Sequence, residues 1–110
     1  MPPRAIVPHR HAVDDVLDVV DYYREHAGTP VAEQFSFEVD QALERLSHHP
    51  NIGSPRPTID LNIEGIRSWA LKRFPHQIFH EIQQDHVELW RILHTRRDIT
   101  QAMLSRQRFQ

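Results

Sequence analysis

Residues 66–98 constrain the fold most, because they break into three short runs that suit strands and little else. Residues 66–71 are apolar at Ile66, Trp69, Ala70 and Leu71, and residues 77–82 at Ile78, Phe79 and Ile82. Residues 87–93 are dense in β-branched and aromatic side chains, the composition that packs on a pleated surface. Only the polar residues 83–86 separate the second run from the third, a length that suits a hairpin turn. The spacing predicts an antiparallel meander that buries one face and carries basic residues near its ends.

The N-terminal half follows another period. Residues 4–8 form a short apolar run closed by Pro8, which suggests an edge strand. Over residues 11–26, Val13, Val16, Leu17, Val20, Tyr23 and Ala27 fall at helical spacings on one stripe. Acids including Asp14 and Asp15 are expected in the first turns, where the helix dipole favours negative charge. Gly28 is expected to stop this helix. A second helix follows, with Thr29 as cap and Pro30 in its first position. Phe35, Val39, Ala42, Leu43 and Leu46 form its buried stripe, with Phe37 as the outlier. The short link makes the two helices an antiparallel hairpin. His49 before Pro50 is pushed out of helical geometry and ends the second helix. Residues 50–65 are expected to form an ordered loop anchored by Ile52, Ile59, Leu61 and Ile63, and residues 99–110 a final tail. Helices followed by strands predict an α+β fold of order β-α-α-β-β-β, the helical hairpin packed on a small, mainly antiparallel sheet.

With 110 residues the chain has room for one core and one domain. It contains no cysteine, which removes disulfides, thiolate chemistry and thiolate zinc sites. No apolar run approaches a membrane span, and the N-terminus lacks a signal-peptide pattern, so a cytoplasmic protein is expected. The nine histidines invite a metal reading, but no pair sits with a third ligand at helical HxxxH spacing, and no metal site is expected. Charge is divided along the chain. Residues 1–50 hold four arginines against nine acids, and residues 51–110 hold nine basic residues against six acids. Such a split either holds two halves of one domain together or marks a face for an anionic partner.

The element order and its local patterns resemble the RelE/ParE superfamily of bacterial toxins, and the ParE branch in particular. That branch typically reads Leu-x-x-x-Pro-x-x-Gly, then Gly-x-Arg, Phe-Pro-Tyr-x-Ile-x-Tyr and Val-x-His-x-Arg-Arg-Asp. This chain places Leu46, Pro50 and Gly53, then Gly65 and Arg67, then Phe74, Pro75, Ile78 and Phe79, then Ile92, His94, Arg96, Arg97 and Asp98 in the same order and spacing. It departs at His76 and His80, where tyrosines are common in the family.

The resemblance implies a toxin of a type II toxin–antitoxin system, through one of two mechanisms. A ParE-like toxin acts on DNA gyrase without catalysis of its own, trapping it with cleaved DNA. Arg67, Lys72, Arg73, Trp90, His94, Arg96 and Arg97 are then the candidate target contacts. A RelE-like toxin cleaves messenger RNA on the ribosome, which needs a base, an acid and charge stabilisation. His94, Arg67, Arg73 and Arg96 are the candidates for that chemistry, with Glu64 a second titrating group. Cleaving members often place tyrosine near the C-terminus, whereas the tyrosines here are Tyr22 and Tyr23 on the first helix, which favours the gyrase reading. The resemblance also implies a cognate, ParD-like antitoxin, for which Tyr22, Tyr23, Phe37 and Trp69 are candidate contacts. No cofactor, small-molecule substrate or membrane partner is expected, and a degenerate toxin acting only as a binding module is the remaining class.

Each of these residues also has a purely structural role open to it. Arg67 could pair with a carboxylate of the acidic half, His94 could be a hydrogen-bonded structural histidine, and Arg96, Arg97 and Asp98 could form an internal ion-pair cluster. Trp69 and Trp90 read as core or partner-facing aromatics.

Overall fold

A computed structural model describes residues 2–55 and 64–95. The order is β1 (Ala5–Pro8), α1 (Arg10–His26), α2 (Thr29–His48), β2 (Ile66–Ala70), β3 (His76–Ile82) and β4 (His86–His94). The expected order β-α-α-β-β-β and the α+β class are both observed. The strands form one sheet in the order β1-β4-β3-β2, with the meander antiparallel and β1 added in parallel beside β4.

The hairpin sits on this sheet through a core of Ala12, Phe35, Val39, Ala42, Leu71, Ile78, Leu89 and Ile92. The predicted stripe of α2 is observed: Phe35, Val39, Ala42 and Leu46 are buried, Leu43 packs against the core, and Phe37 is 64% exposed. In α1 the helix is rolled from the predicted orientation. Ala12, Val16, Val19, Val20 and Tyr23 face inward, while Val13 and Leu17 are exposed, Leu17 by 56%. Valines at 13, 16, 19 and 20 supply two overlapping stripes, so apolar spacing alone does not choose between them. Asp15 chooses. Its carboxylate accepts from Arg91 Nε (2.7 Å) and a terminal guanidinium nitrogen (2.8 Å) and from the backbone N–H of Ile92 (3.0 Å), which fixes the helix against β4.

Helix ends also differ from expectation. No acid lies in the first turn of α1; the matching basic residues are Arg24 and His26 in its last turn, beside the negative end of the dipole. Gly28, with φ of +94°, is the N-cap of α2, so Thr29 is already helical and makes no capping bond. A backbone in the left-handed region suits glycine, and Pro30 in the first turn loses no helical hydrogen bond.

Two clamps close the fold. At one, Arg4 donates to the carbonyls of Gln83 and Gln84 in the β3–β4 turn, and Ser47 Oγ at the end of α2 donates to Arg4 O. His9 and His86 flank Glu88 on the same side, at 3.0 Å and 3.6 Å from its two oxygens. At the other, the cross-strand pair Arg67 and His80 holds the chain leaving α2. Arg67 donates to Asn51 O (2.7 Å), Gly53 O (2.9 Å) and Ile52 O (3.4 Å), and His80 Nε2 donates to Pro50 O (3.0 Å). Ser54 then bridges to Ser68 on the edge of β2. The anchors Ile59, Leu61 and Ile63 and the tail 99–110 lie outside the described residues.

Candidate functional site

The site is built at the end of the sheet where β2 turns into β3. His76 opens β3 directly opposite His94 at the end of β4, and Thr95 N–H donates to Pro75 O (2.9 Å). Lys72 and Arg73 occupy the intervening β2–β3 turn and are exposed. This end therefore collects Lys72, Arg73 and His94 from the predicted target contacts. Arg73 is held by its backbone N–H, which donates to Glu38 Oε2 (3.0 Å) and leaves the guanidinium outward.

On one flank of this turn, a groove of about 500 Å3 runs between α2 and residues 72–74, with Phe37, Lys72, Arg73 and Phe74 among its walls. A smaller cavity of about 170 Å3 continues it towards Trp69, which is half-buried, and Arg45. On the other flank, a cleft of about 590 Å3 separates α1 from the end of β4, lined by Asp18, Tyr22, Tyr23, His76 and His94 among others. Its aromatic floor is continuous: Tyr22 and Tyr23 meet edge-on at 5.6 Å, Tyr23 and His76 at 6.3 Å, and His76 and His94 at 5.4 Å. Burial, with the neighbouring Tyr22, pushes the Tyr23 phenol above its ordinary range. Phe35 and Phe74 close the floor from beneath.

The remaining candidates are placed elsewhere. Arg67 spends its donors on three consecutive backbone carbonyls, so the expected carboxylate partner gives way to a loop clamp. Its cross-strand neighbour His80 is wholly buried, and desolvation, opposed by the bond to Pro50 O and assisted by the Arg67 charge, lowers its pKa. Trp90 is 4% exposed, in the extra position of a bulge where β3–β4 pairing passes from Phe79–Arg91 to His80–Leu89. That takes it off the target contacts: the indole is a packing element under the surface. Glu64 is exposed, and Arg96 and Arg97 lie outside the described residues. Sequence reasoning missed Asp18, His76 and the clustering of Tyr22 and Tyr23 with His94. The two tyrosines sit about 70 residues before His94, and only the packing of α1 on β4 joins them.

Among the described residues, no group of three or more His, Asp or Glu is arranged to hold a metal ion, and no helix is long and apolar enough to cross a membrane. Geometry thus defines a class of small α+β proteins: a helical hairpin on a four-stranded mixed sheet, with exposed basic and aromatic side chains gathered at one end.

Comparison with known proteins narrows this class to a family. The family model described as the ParE toxin of type II toxin-antitoxin system, parDE, matches residues 6–99. The chain belongs to the ParE toxin family. Among solved structures its fold is similar to a chain of the chromosomal ParDE TA system from P. aeruginosa, with a TM-score of 0.69 and 21% identity, covering 81% of this chain and 92% of that one. No relative was found among the curated proteins.

Proposed function

We propose that this chain is a growth-arresting toxin that poisons DNA gyrase and is neutralised by a cognate ParD-like antitoxin. The carrying observation is the family match over residues 6–99. The site supports the same reading: Lys72 and Arg73 offer solvated charge to a protein–DNA complex, with no proton transfer required of the toxin. Arg96 and Arg97 complete the proposed target contacts. Phe37 borders that basic turn in one groove, and Tyr22, 55% exposed, lines the neighbouring cleft beside Tyr23, whose ring meets Phe74 of the turn at 5.3 Å. With Tyr23 and Trp69, Tyr22 and Phe37 form the proposed antitoxin surface. An antitoxin covering the groove and the cleft would shield Lys72 and Arg73, and the proposed neutralisation is by occlusion of these charges.

One observation favours the second mechanism, messenger RNA cleavage on the ribosome. His94 lies in the same cleft as Tyr22, Tyr23 and His76, which places imidazole and phenol groups side by side. Against it, Arg67 has Nε and one terminal nitrogen committed to the loop after α2, which ties the guanidinium to a structural task. Induced expression of the chain, alone and with the antitoxin encoded beside it, tests the reading. Growth arrest relieved by co-expression is expected, with His94→Ala retaining most of the toxicity. Normal growth at verified soluble expression would remove the toxin reading. Loss of arrest in His94→Ala, with codon-specific messenger cleavage by the parent, would shift the mechanism to ribonuclease.

A further inference from the structure

We infer that the cleft between α1 and the end of β4 is a docking site for an arginine side chain presented by a protein partner. This rests on the chemistry of the cleft and holds whichever toxin mechanism operates. α1 carries five acids against two arginines, and its charges are unequally committed. Asp15 is used by Arg91, and Asp21 pairs with Arg24 at 3.2 Å. Asp18, in the cleft wall and exposed, has no ion pair among the described residues. Arg91, the cation in the same wall, already has two of its nitrogens on Asp15. The wall therefore presents one uncompensated carboxylate to whatever enters.

The rings decide which cation fits. Tyr22 is one helical turn beyond Asp18, which puts the phenol ring and the carboxylate on one side of α1; one face of the ring is stacked on His26 at 4.4 Å, and the half-exposed remainder is what an entering group meets. His94 stands on the opposite wall. A guanidinium is planar, stacks on aromatic faces and bonds a carboxylate through its edge, so it satisfies ring and acid together. A lysine ammonium satisfies the charge without the plane. A phosphate or carboxylate would meet Asp18 with no uncommitted arginine or lysine among the described wall residues. An aliphatic side chain would leave Asp18 opposite a desolvating neighbour. The cleft, at about 590 Å3, has room for the guanidinium and its methylene stem.

Titration of the whole protein with a capped leucine–arginine–leucine peptide, followed by NMR of tyrosine and histidine rings at about pH 7.5, above the ordinary histidine range, tests this. Saturable shifts at Tyr22, Tyr23 and His94 are expected, with a Kd of about 1 mM or tighter. The citrulline peptide, equal in shape but uncharged, should bind about tenfold more weakly, and Asp18→Asn should weaken the arginine peptide about fivefold while keeping the parent circular dichroism. Absence of saturable shifts, shifts confined to another surface, equal binding by citrulline, or an unaffected Asp18→Asn would each overturn the site. Equal binding by the lysine peptide would overturn its assignment to arginine.

Discussion

Removing Asp15 should unlock α1 from the sheet, and the structure supplies the magnitude. The carboxylate takes two guanidinium hydrogen bonds at 2.7 and 2.8 Å and the Ile92 N–H at 3.0 Å. Side-chain exposure is 17% for Arg91 and 12% for Asp15. Breaking a fully buried pair costs about 3–5 kcal/mol, because a charge is left without its partner. Here water reaches Arg91 in part, so Asp15→Ala should cost about 2–4 kcal/mol. Arg91→Ala should cost less, about 1–2 kcal/mol, because Asp15 keeps the Ile92 amide. The double variant should fall short of the sum by about 1–2 kcal/mol, the coupling of the pair. Urea melts of the four proteins measure all three quantities, and the Tm of Asp15→Ala should drop by about 10–20 °C. Additive single effects, each under about 0.5 kcal/mol, would show that this pair is a surface contact and does not set the roll of α1.

Three further expectations address the clamp and the core. Gly53→Ala should destabilise by more than about 2 kcal/mol: φ is +89°, and an added Cβ would meet Ser68 O at 2.5 Å and the Trp69 Cβ at 2.9 Å; near-parental urea melts would refute this close approach. Leu46→Ala, at a wholly buried position, should cost about 2–5 kcal/mol, whereas Leu17→Ala on the exposed face should change stability by less than about 0.5 kcal/mol; equal effects in melts would place the α1 stripe as the spacing first suggested. His80 favours its neutral form when folded, so its contribution is level above about pH 6.5 and turns destabilising as pH falls towards its lowered folded pKa. His86 runs the other way: the bond to Asp85 raises its pKa against the effect of burial, with Glu88 assisting, and that stabilisation is lost as pH rises through the folded value. The stability difference between the parent and His80→Gln should therefore move against the parent on acidification from pH 7 to 5, and a flat difference would refute the buried neutral imidazole.

Local patterns were enough for the meander, the 83–86 turn and the buried face of α2, because each is written in contiguous residues with one dominant period. The roll of α1 was not legible, since four valines fit two stripes and the deciding contact, Asp15 to Arg91, spans 76 positions. The same distance problem hid the cleft, where Tyr22 and Tyr23 meet His94 only through packing of α1 on β4. The fate of Arg67 was hidden for another reason: its acceptors are backbone carbonyls of residues 51–53, which no side-chain identity announces. Gly28 reads from its position as the stop of α1 and Thr29 as the cap of α2, whereas the N-cap of α2 is Gly28 itself, a role set by its left-handed backbone and not by a capping side chain. Trp90 shows the limit of type-based inference, because a bulge turned a plausible contact residue into packing.

The central proposal is that this ParE-family chain poisons gyrase by binding, and purified components test it most directly. The chain is added to DNA gyrase, supercoiled plasmid and ATP, and the products are resolved after protein denaturation. Linear DNA covalently attached to gyrase is the expected result, diminished by Lys72→Ala with Arg73→Ala and suppressed by the antitoxin. Intact supercoiled plasmid at saturating toxin, together with cleavage of messenger RNA when the same preparation is given translating ribosomes, would contradict it.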